Sequence, residues 1–315
     1  MKNTIEKALQ RQKAAQQSEA EKKTEVASED AAKQNLSTST TGTREDASKT
    51  KNTQPASQEQ IAEKGIRSEL APFKLDLQAL SDKGHISVLG ERKQINEEYR
   101  EIKRKLITNA FGALSKTLHN PNIIMVTSSR PSEGKTFTAT NLALSIAAEQ
   151  DKTVLLVDAD VLKPNVLNTL GLERRKGLME YLTGEVKDVS EVLYPTNKEK
   201  PKITPANKSH HLSTEMLASQ KMHETVNEFA NRYPDRIVIF DTPPLIGINE
   251  SAILANFAGQ AVVVVEEGKT KINDIKMSVE RLNPEMAIGF VVNKSIHHDT
   301  DGSGYYGCYY AERTN

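Results

Sequence analysis

The sequence predicts a doubly wound α/β domain with a mostly parallel sheet over residues 73–295. Three observations support this: five apolar runs have the length of strands, helix-like segments separate them, and acidic residues follow two of the runs. Runs that are apolar on both faces are typical of parallel strands covered by helices on each side. The ends of these strands are therefore where a ligand site is expected.

The elements follow from hydrophobic periodicity. The predicted strands, in chain order, are 122–128, 153–160, 236–244, 260–267 and 287–294. Helical patterns cover 134–150, 219–232 and 271–282. A charged helix, 95–111, precedes the first strand. Residues 194–211 are rich in Pro, Lys and Asn, which predicts a mobile loop with a short strand at 203–206.

The two ends of the sequence differ from this pattern. Residues 1–60 contain no Phe, Tyr or Trp, so they cannot bury enough apolar surface to offset the cost of ordering the backbone. We predict a disordered polar region over 1–72. Residues 296–315 form a glycine-spaced tail that holds four of the chain's eight tyrosines: Tyr305, Tyr306, Tyr309 and Tyr310.

The composition excludes several classes of protein. Lys plus Arg and Asp plus Glu both total 42, so no strong positive field favours nucleic acid. The aliphatic runs are far shorter than the roughly 18 residues of a membrane span. A single cysteine excludes an internal disulfide and a multi-cysteine zinc site. These features predict a cytoplasmic protein with no nucleic-acid partner.

The segment from Val126 to Ser145 carries the clearest chemical signal. A predicted strand runs into a tight turn ending in Gly134, Lys135 and Thr136, and a helix follows. In such a setting the backbone N–H groups and the helix N-terminus surround phosphates, a lysine reaches the β and γ phosphates, and a hydroxyl binds Mg²⁺. The pattern departs from G-x-x-x-x-G-K-[ST], because Ser129 occupies the place of its first glycine. From this segment alone, an accidental Gly-Lys-Thr remains an alternative.

Three aspartates strengthen the prediction of a nucleotide site. Asp158 and Asp160 end one strand, and Asp241 ends another. Alternation along the chain places Asp158 and Asp160 on the same side. Capping of the following helices is the alternative role for each carboxylate. Three such groups after apolar runs favour instead a nucleotide site that they share with the turn at Gly134, Lys135 and Thr136.

The combination of these three motifs resembles the bacterial tyrosine kinases, over roughly residues 95–310. Their modified first motif, S-x-x-P-x-E-G-K-[ST], matches at Ser128, Pro131, Glu133, Gly134, Lys135 and Thr136. The segment DADVLKPNVLNTLGL is similar to the subgroup of exosortase-associated autokinases encoded with exopolysaccharide synthesis. Most of the family continues D-x-D-[LM]-R, whereas Val161, Leu162 and Lys163 follow the aspartates here, so Leu162 stands in the place of that arginine. The resemblance also implies a P-loop NTPase type of fold that binds ATP and Mg²⁺.

The resemblance implies roles for these residues. Lys135 offsets phosphate charge, and Thr136, Asp160 and Asp241 bind Mg²⁺ directly or through water. Asp158 orients or deprotonates the acceptor tyrosine, and we assign Lys135, Asp158 and Asp160 as the catalytic set. Asn293 resembles the residue that reads the adenine edge, although a strand-end cap is an alternative.

The resemblance also implies assembly and regulation. Glu97, Arg100 and Lys103 match the family's E-x-x-R-x-x-R oligomerisation motif, with lysine in the last place; a solvated helix face is the alternative. The tyrosines of the tail would be phosphorylated between subunits of a homo-oligomer, such as a ring. An inner-membrane activator of the chain-length-determinant type, which would hold the kinase at the membrane, and a tyrosine phosphatase are the expected partners.

A second hypothesis belongs to another functional class. The same motifs suit a partition-type ATPase that dimerises around ATP and recruits partners, with the tail serving only as a docking peptide. Phosphorylation of the tail separates the two hypotheses.

Overall fold

The computed structural model describes residues 70–86, 93–197, 201–207 and 209–295. The predicted tyrosine tail and nearly all of the predicted N-terminal polar region lie outside these residues. Within the described ranges, no helix combines the length and the apolar character that crossing a membrane requires.

A seven-stranded sheet confirms the predicted fold class. Its strands are β1 (Ile123–Ser128), β2 (Thr153–Asp158), β3 (Tyr194–Pro195), β4 (Pro201–Thr204), β5 (Arg236–Asp241), β6 (Gln260–Glu266) and β7 (Ala287–Asn293). Their order is β3-β4-β2-β5-β1-β6-β7, and all neighbouring pairs are parallel except β3 with β4. The order places β2, β5 and β1 side by side, so the three predicted motifs meet at one edge.

The helices cover both faces of the sheet. They are α1 (Leu77–Asp82), α2 (Gln94–Phe111), α3 (Lys135–Ala147), α4 (Val166–Leu170), α5 (Leu178–Leu182), α6 (Ser213–Leu217), α7 (Gln220–Asn231), α8 (Asn249–Ala255) and α9 (Ile272–Val279). Short 3₁₀ turns lie at Ala113–Lys116 and Val189–Val192. The predicted helices at 95–111, 134–150, 219–232 and 271–282 are therefore confirmed, with ends shifted by no more than three residues.

Alternate residues of the central strands enter two separate cores. In β1, Met125 belongs to the cluster on one face, whereas Ile124 and Val126 belong to the cluster on the other. Every residue of β1, β5 and β6 is buried. This burial on both faces explains the uninterrupted apolar runs of the sequence.

The prediction of a mobile loop over 194–211 is wrong in part, because β3 and β4 form one end of the sheet. β4 spans Pro201–Thr204, two residues before the predicted strand, and pairs in parallel with β2. β3 is also held in place, because the Phe73 backbone N–H donates to the carbonyl of Pro195 at 2.8 Å. β4 is only four residues long, so its sequence carries too little periodicity to predict its pairing with β2.

Candidate active site

The loop between β1 and α3 has the shape of a phosphate cradle. Gly134 has a φ of 104°, in the left-handed region, and α3 begins at the next residue, Lys135. Loop contacts close it: the Ser128 hydroxyl donates to the Arg130 carbonyl at 2.7 Å, and the Arg130 N–H donates to Glu133 Oε2 at 2.8 Å. Pro131, Gly134, Lys135 and Thr136 line one cavity at the start of this helix.

Lys135 lies against two of the three predicted carboxylates. Its Nζ is 2.6 Å from Asp160 Oδ2 and 3.6 Å from Asp241 Oδ1. Burial lowers the pKa of Lys135, but the charges of Asp241 and Asp160 outweigh it and raise the pKa above its ordinary value. Lys135 therefore stays a cation in this buried place.

Asp241 has an unusual environment for a carboxylate. It is fully buried, and neither side-chain oxygen accepts a hydrogen bond. Burial raises its pKa from 3.8 to about 6, while Lys135 and the Thr136 hydroxyl act in the opposite direction. Buried polar atoms without partners are rare, and an ion or ordered water that is bound in the working state is a common reason for them.

Asp158 is placed directly beside Asp241, since the two residues are partners in the β2–β5 register. Asp158 Oδ2 accepts hydrogen bonds from the backbone N–H groups of Asn165 and Val166, both at 3.1 Å. One oxygen of Asp158, Oδ2, thus caps the start of helix α4, which is the alternative role considered from the sequence. Its Oδ1 is buried without a partner, and burial, reinforced by the charge of Asp241, raises its pKa well above the ordinary value.

Asp160 lies beyond the end of β2 and faces the helix start. Its Oδ2 contacts Lys135, and its Oδ1 accepts from the Lys163 N–H at 3.0 Å. A cavity of about 550 Å³ lies in front of this group, and its lining includes Ser132, Gly134, Thr136, Asp160 and Pro244. The cavity is large enough for a nucleotide-sized ligand.

Asn293, at the end of β7, contacts the loop directly. Its Nδ2 donates to the carbonyl of Glu133 at 2.9 Å. A Cβ on Gly134 would lie 1.9 Å from this nitrogen, so the Asn293 side chain would have to move and lose this contact, and the φ of 104° by itself favours glycine here. The adenine-reading role of Asn293 stays a prediction.

Sequence reasoning missed a side chain of α9 that hydrogen-bonds to the loop between β1 and α3. Arg130, whose side chain is 56% exposed, makes a two-bond fork with Asp274 of α9, at 2.7 and 2.9 Å. The partners are 144 residues apart. A single acidic residue on a helix gives no sequence signal for such a contact.

The three residues of the predicted oligomerisation motif separate into two environments. Glu97 and Arg100 form an exposed ion pair at 2.5 Å. Lys103 is buried and donates to the Ser145 carbonyl at 3.0 Å, with its Nζ 2.5 Å from Glu149. The Lys103 side chain therefore faces α3 in this conformation, and its part in a subunit contact stays a prediction.

The chain is similar in sequence to known proteins. The AAA domain family matches residues 121–285. The chain is 30% identical over 226 residues to the tyrosine-protein kinase YwqD of Bacillus subtilis, an alignment that covers 71% of this chain and 91% of YwqD. The chain belongs to the bacterial tyrosine kinases.

Other members of the bacterial tyrosine kinases extend the comparison. The tyrosine-protein kinase etk of Escherichia coli K12 is 29% identical over 182 residues, which is 58% of this chain and only 24% of etk. The chain therefore spans about a quarter of that longer relative. Among solved structures, the chimerical protein CapA2B2 has a TM-score of 0.58 at 22% identity and covers 66% of this chain and 88% of its own. The kinase domain of E. coli ETK has a TM-score of 0.56 at 21% identity and covers 72% and 92%.

The donor set of this bacterial tyrosine kinase can be compared with what Mg²⁺ needs. Among the described residues, no group of three or more His, Cys, Asp or Glu side chains could hold a metal ion by itself. Mg²⁺ in phosphate sites is held by one or two carboxylates together with substrate phosphates and water. The carboxylate of Asp241 lies beside Thr136, accepts no hydrogen bond and has Lys135 as its ion-pair partner at 3.6 Å, and it fits that mode of binding.

Proposed function

We propose that this bacterial tyrosine kinase is an ATP-dependent autokinase that phosphorylates the tail tyrosines of a neighbouring subunit. The observation that carries the proposal is the convergence of the Lys135 ammonium group with Asp160 and Asp241 at the start of α3. Phosphoryl transfer needs positioning and neutralisation of charge more than covalent chemistry, and this arrangement supplies both.

The loop residues would hold the nucleotide. Backbone N–H groups at the start of α3 and the Lys135 ammonium group would contact the phosphates, while Thr136, Asp241 and Asp160 would bind Mg²⁺ directly or through water. Bound ATP and Mg²⁺ supply the transferable phosphoryl group and the divalent charge that neutralises it. Asp160 holds Lys135 through the 2.6 Å contact, and both residues line the cavity.

Asp158 is the group proposed to receive the proton of the acceptor tyrosine. Its Oδ2 is occupied by two backbone N–H groups, whereas Oδ1 has no partner. Oδ1 is therefore the atom that would accept a hydrogen bond from a phenol, after the side chains that bury it in this conformation move aside. A carboxylate with a raised pKa is a better match for a phenol of pKa near 10 than an ordinary aspartate is.

The substrate and partners follow from the resemblance and stay proposals. The acceptor residues would be Tyr305, Tyr306, Tyr309 and Tyr310, offered in turn by a glycine-spaced tail. The exposed pair of Glu97 and Arg100 would contribute to a homo-oligomer, a ring being one form. An inner-membrane activator would hold the kinase at the cytoplasmic face, a tyrosine phosphatase would reset it, and exopolysaccharide assembly would be the regulated process.

Incubation of the full chain with Mg-ATP, followed by mass spectrometry of the tail peptide, tests the proposal. We expect phosphate on the tail tyrosines of the wild type, and none in Lys135→Met. Lys187→Met removes an exposed lysine outside the site and serves as the matched control, which should retain the wild-type signal. ATP hydrolysis with an unmodified tail would instead support the ATPase switch.

A further inference from the structure

Helix α9 contacts the phosphate-binding loop at three points. The Arg130 guanidinium makes its fork with Asp274, the Ser278 hydroxyl donates to Ser129 Oγ at 2.9 Å, and the Thr270 hydroxyl, just before the helix, donates to Glu133 Oε1. Asp274 and Ser278 are one helical turn apart, so they lie on the same face of α9.

The loop that these groups hold is a strained one. Ser132 has a φ of 70° and Gly134 has a φ of 104°. A residue other than glycine in the left-handed region persists only where its surroundings hold it there. Ser129, which replaces the first glycine of the usual pattern, is fully buried and is the residue that Ser278 contacts. The serine that replaces the glycine therefore has its own hydrogen-bond partner, Ser278, on α9.

The contact between Arg130 and Asp274 differs from an ordinary surface ion pair. Asp274 is only 5% exposed, both of its oxygens are used, and the planar guanidinium fits them as a fork. The hydrogen bonds and charge of Arg130 hold the pKa of Asp274 below its ordinary value. The Arg130 backbone N–H donates to Glu133 Oε2. The fork therefore holds the Arg130 side chain, and this second hydrogen bond holds the backbone of the same residue.

We propose that Asp274 is a positioning residue for ATP binding: through Arg130 it holds the phosphate-binding loop in the conformation that receives the phosphates. The proposal rests on the nucleotide role of the loop given above, and not on the identity of the phosphoryl acceptor. Asp274 is not among the residues that line the cavity, and Ser278 reinforces its effect from the next turn of α9.

The test is a fluorescence titration of the full chain with a labelled ATP analogue and Mg²⁺, together with the kinetics of tail phosphorylation. In Asp274→Asn, we expect the Kd and the KM for ATP to rise about tenfold, with kcat changed less than about twofold. Asp274→Glu, which keeps the charge, should recover part of the affinity. Ser278→Ala should weaken binding by about threefold.

Glu228→Gln is the matched control, because it removes an arginine–carboxylate pair from the exposed side of α7, away from the loop. It should leave nucleotide affinity unchanged. Asp274→Asn also removes an ion pair that stabilises the fold, so its melting temperature without nucleotide should fall. A rise in KM with little change in kcat separates the positioning role from general stabilisation.

The outcomes are distinguishable. Equal nucleotide affinity in the wild type and in both Asp274→Asn and Ser278→Ala would overturn the proposal, as would an equal loss in Glu228→Gln. If the wild type binds the ATP analogue tightly but leaves its tail unmodified, only the kinase function fails. A wild type that does not bind the analogue overturns both.

Discussion

Replacing Asp241 with asparagine should make the folded protein more stable at pH 8 while abolishing its activity. Asp241 is fully buried, and burial raises its pKa from 3.8 to about 6 even with Lys135 at 3.6 Å. Because the folded pKa is higher than the unfolded one, ionisation of Asp241 disfavours the folded state above pH 6. This cost is absent at a pH below 3.8, where both states are protonated.

The size of the effect follows from the pKa. One pKa unit corresponds to about 1.36 kcal/mol, so ionised Asp241 lowers the free energy of unfolding by about 3 kcal/mol at pH 8. Asparagine has the shape of the protonated acid and does not ionise. For a domain of this size, the gain corresponds to a rise in melting temperature of about 6 to 12 °C.

The assay is thermal unfolding of the wild type and Asp241→Asn without nucleotide, in a chelating buffer, at pH 8 and pH 4.5. The gain should shrink by more than half at pH 4.5, where Asp241 of the folded wild type is protonated. Asp151→Asn removes an exposed carboxylate and is the matched control. A variant that is no more stable than the wild type at pH 8, or a gain that is equal at both pH values, would refute this reasoning.

Three further predictions concern the site and its support. Gly134→Ala should weaken nucleotide binding by at least about tenfold in a fluorescence titration, because the new Cβ would lie 1.9 Å from Asn293 Nδ2 at a φ of 104°; unchanged affinity would contradict this. Lys103→Met should lower the free energy of unfolding in urea by about 1 to 2 kcal/mol, through the loss of its contact with Glu149 and α3, while subunit association measured by light scattering stays the same. The Mg²⁺ dependence of nucleotide affinity should weaken below pH 6, because Asp241 must lose its proton to bind the metal, and equal Mg²⁺ affinities at pH 7.5 and 5.5 would speak against it.

The sequence was sufficient for the strands and the main groups of the site because these features are local. Each central strand is an apolar run, and its last residues carry the polar groups, so the end of β2 and the end of β5 could be located to within three residues. The general rule that parallel strands end at the same edge of a sheet then brings Asp158, Asp160 and Asp241 toward Lys135.

The contacts that sequence reasoning could not supply join residues far apart in the chain. The fork between Arg130 and Asp274 depends on where α9 packs, which no local pattern encodes. Likewise, Lys103 has the charge of a surface residue, and only the packing of α2 against α3 shows that it is buried. Periodicity fixes which residues can share a face, but not which neighbour will cover that face.

The pairing of β2 with β5 has a consequence for which changes in chain length this protein can accept. Asp158 and Asp241 are opposite each other in that register. A slip of one residue would turn one carboxylate to the other face of the sheet, since side chains alternate along a strand. A single deletion inside 153–158 should therefore destroy the site even if the sheet still forms, whereas insertions after Lys187, an exposed position between α5 and β3, should be accepted.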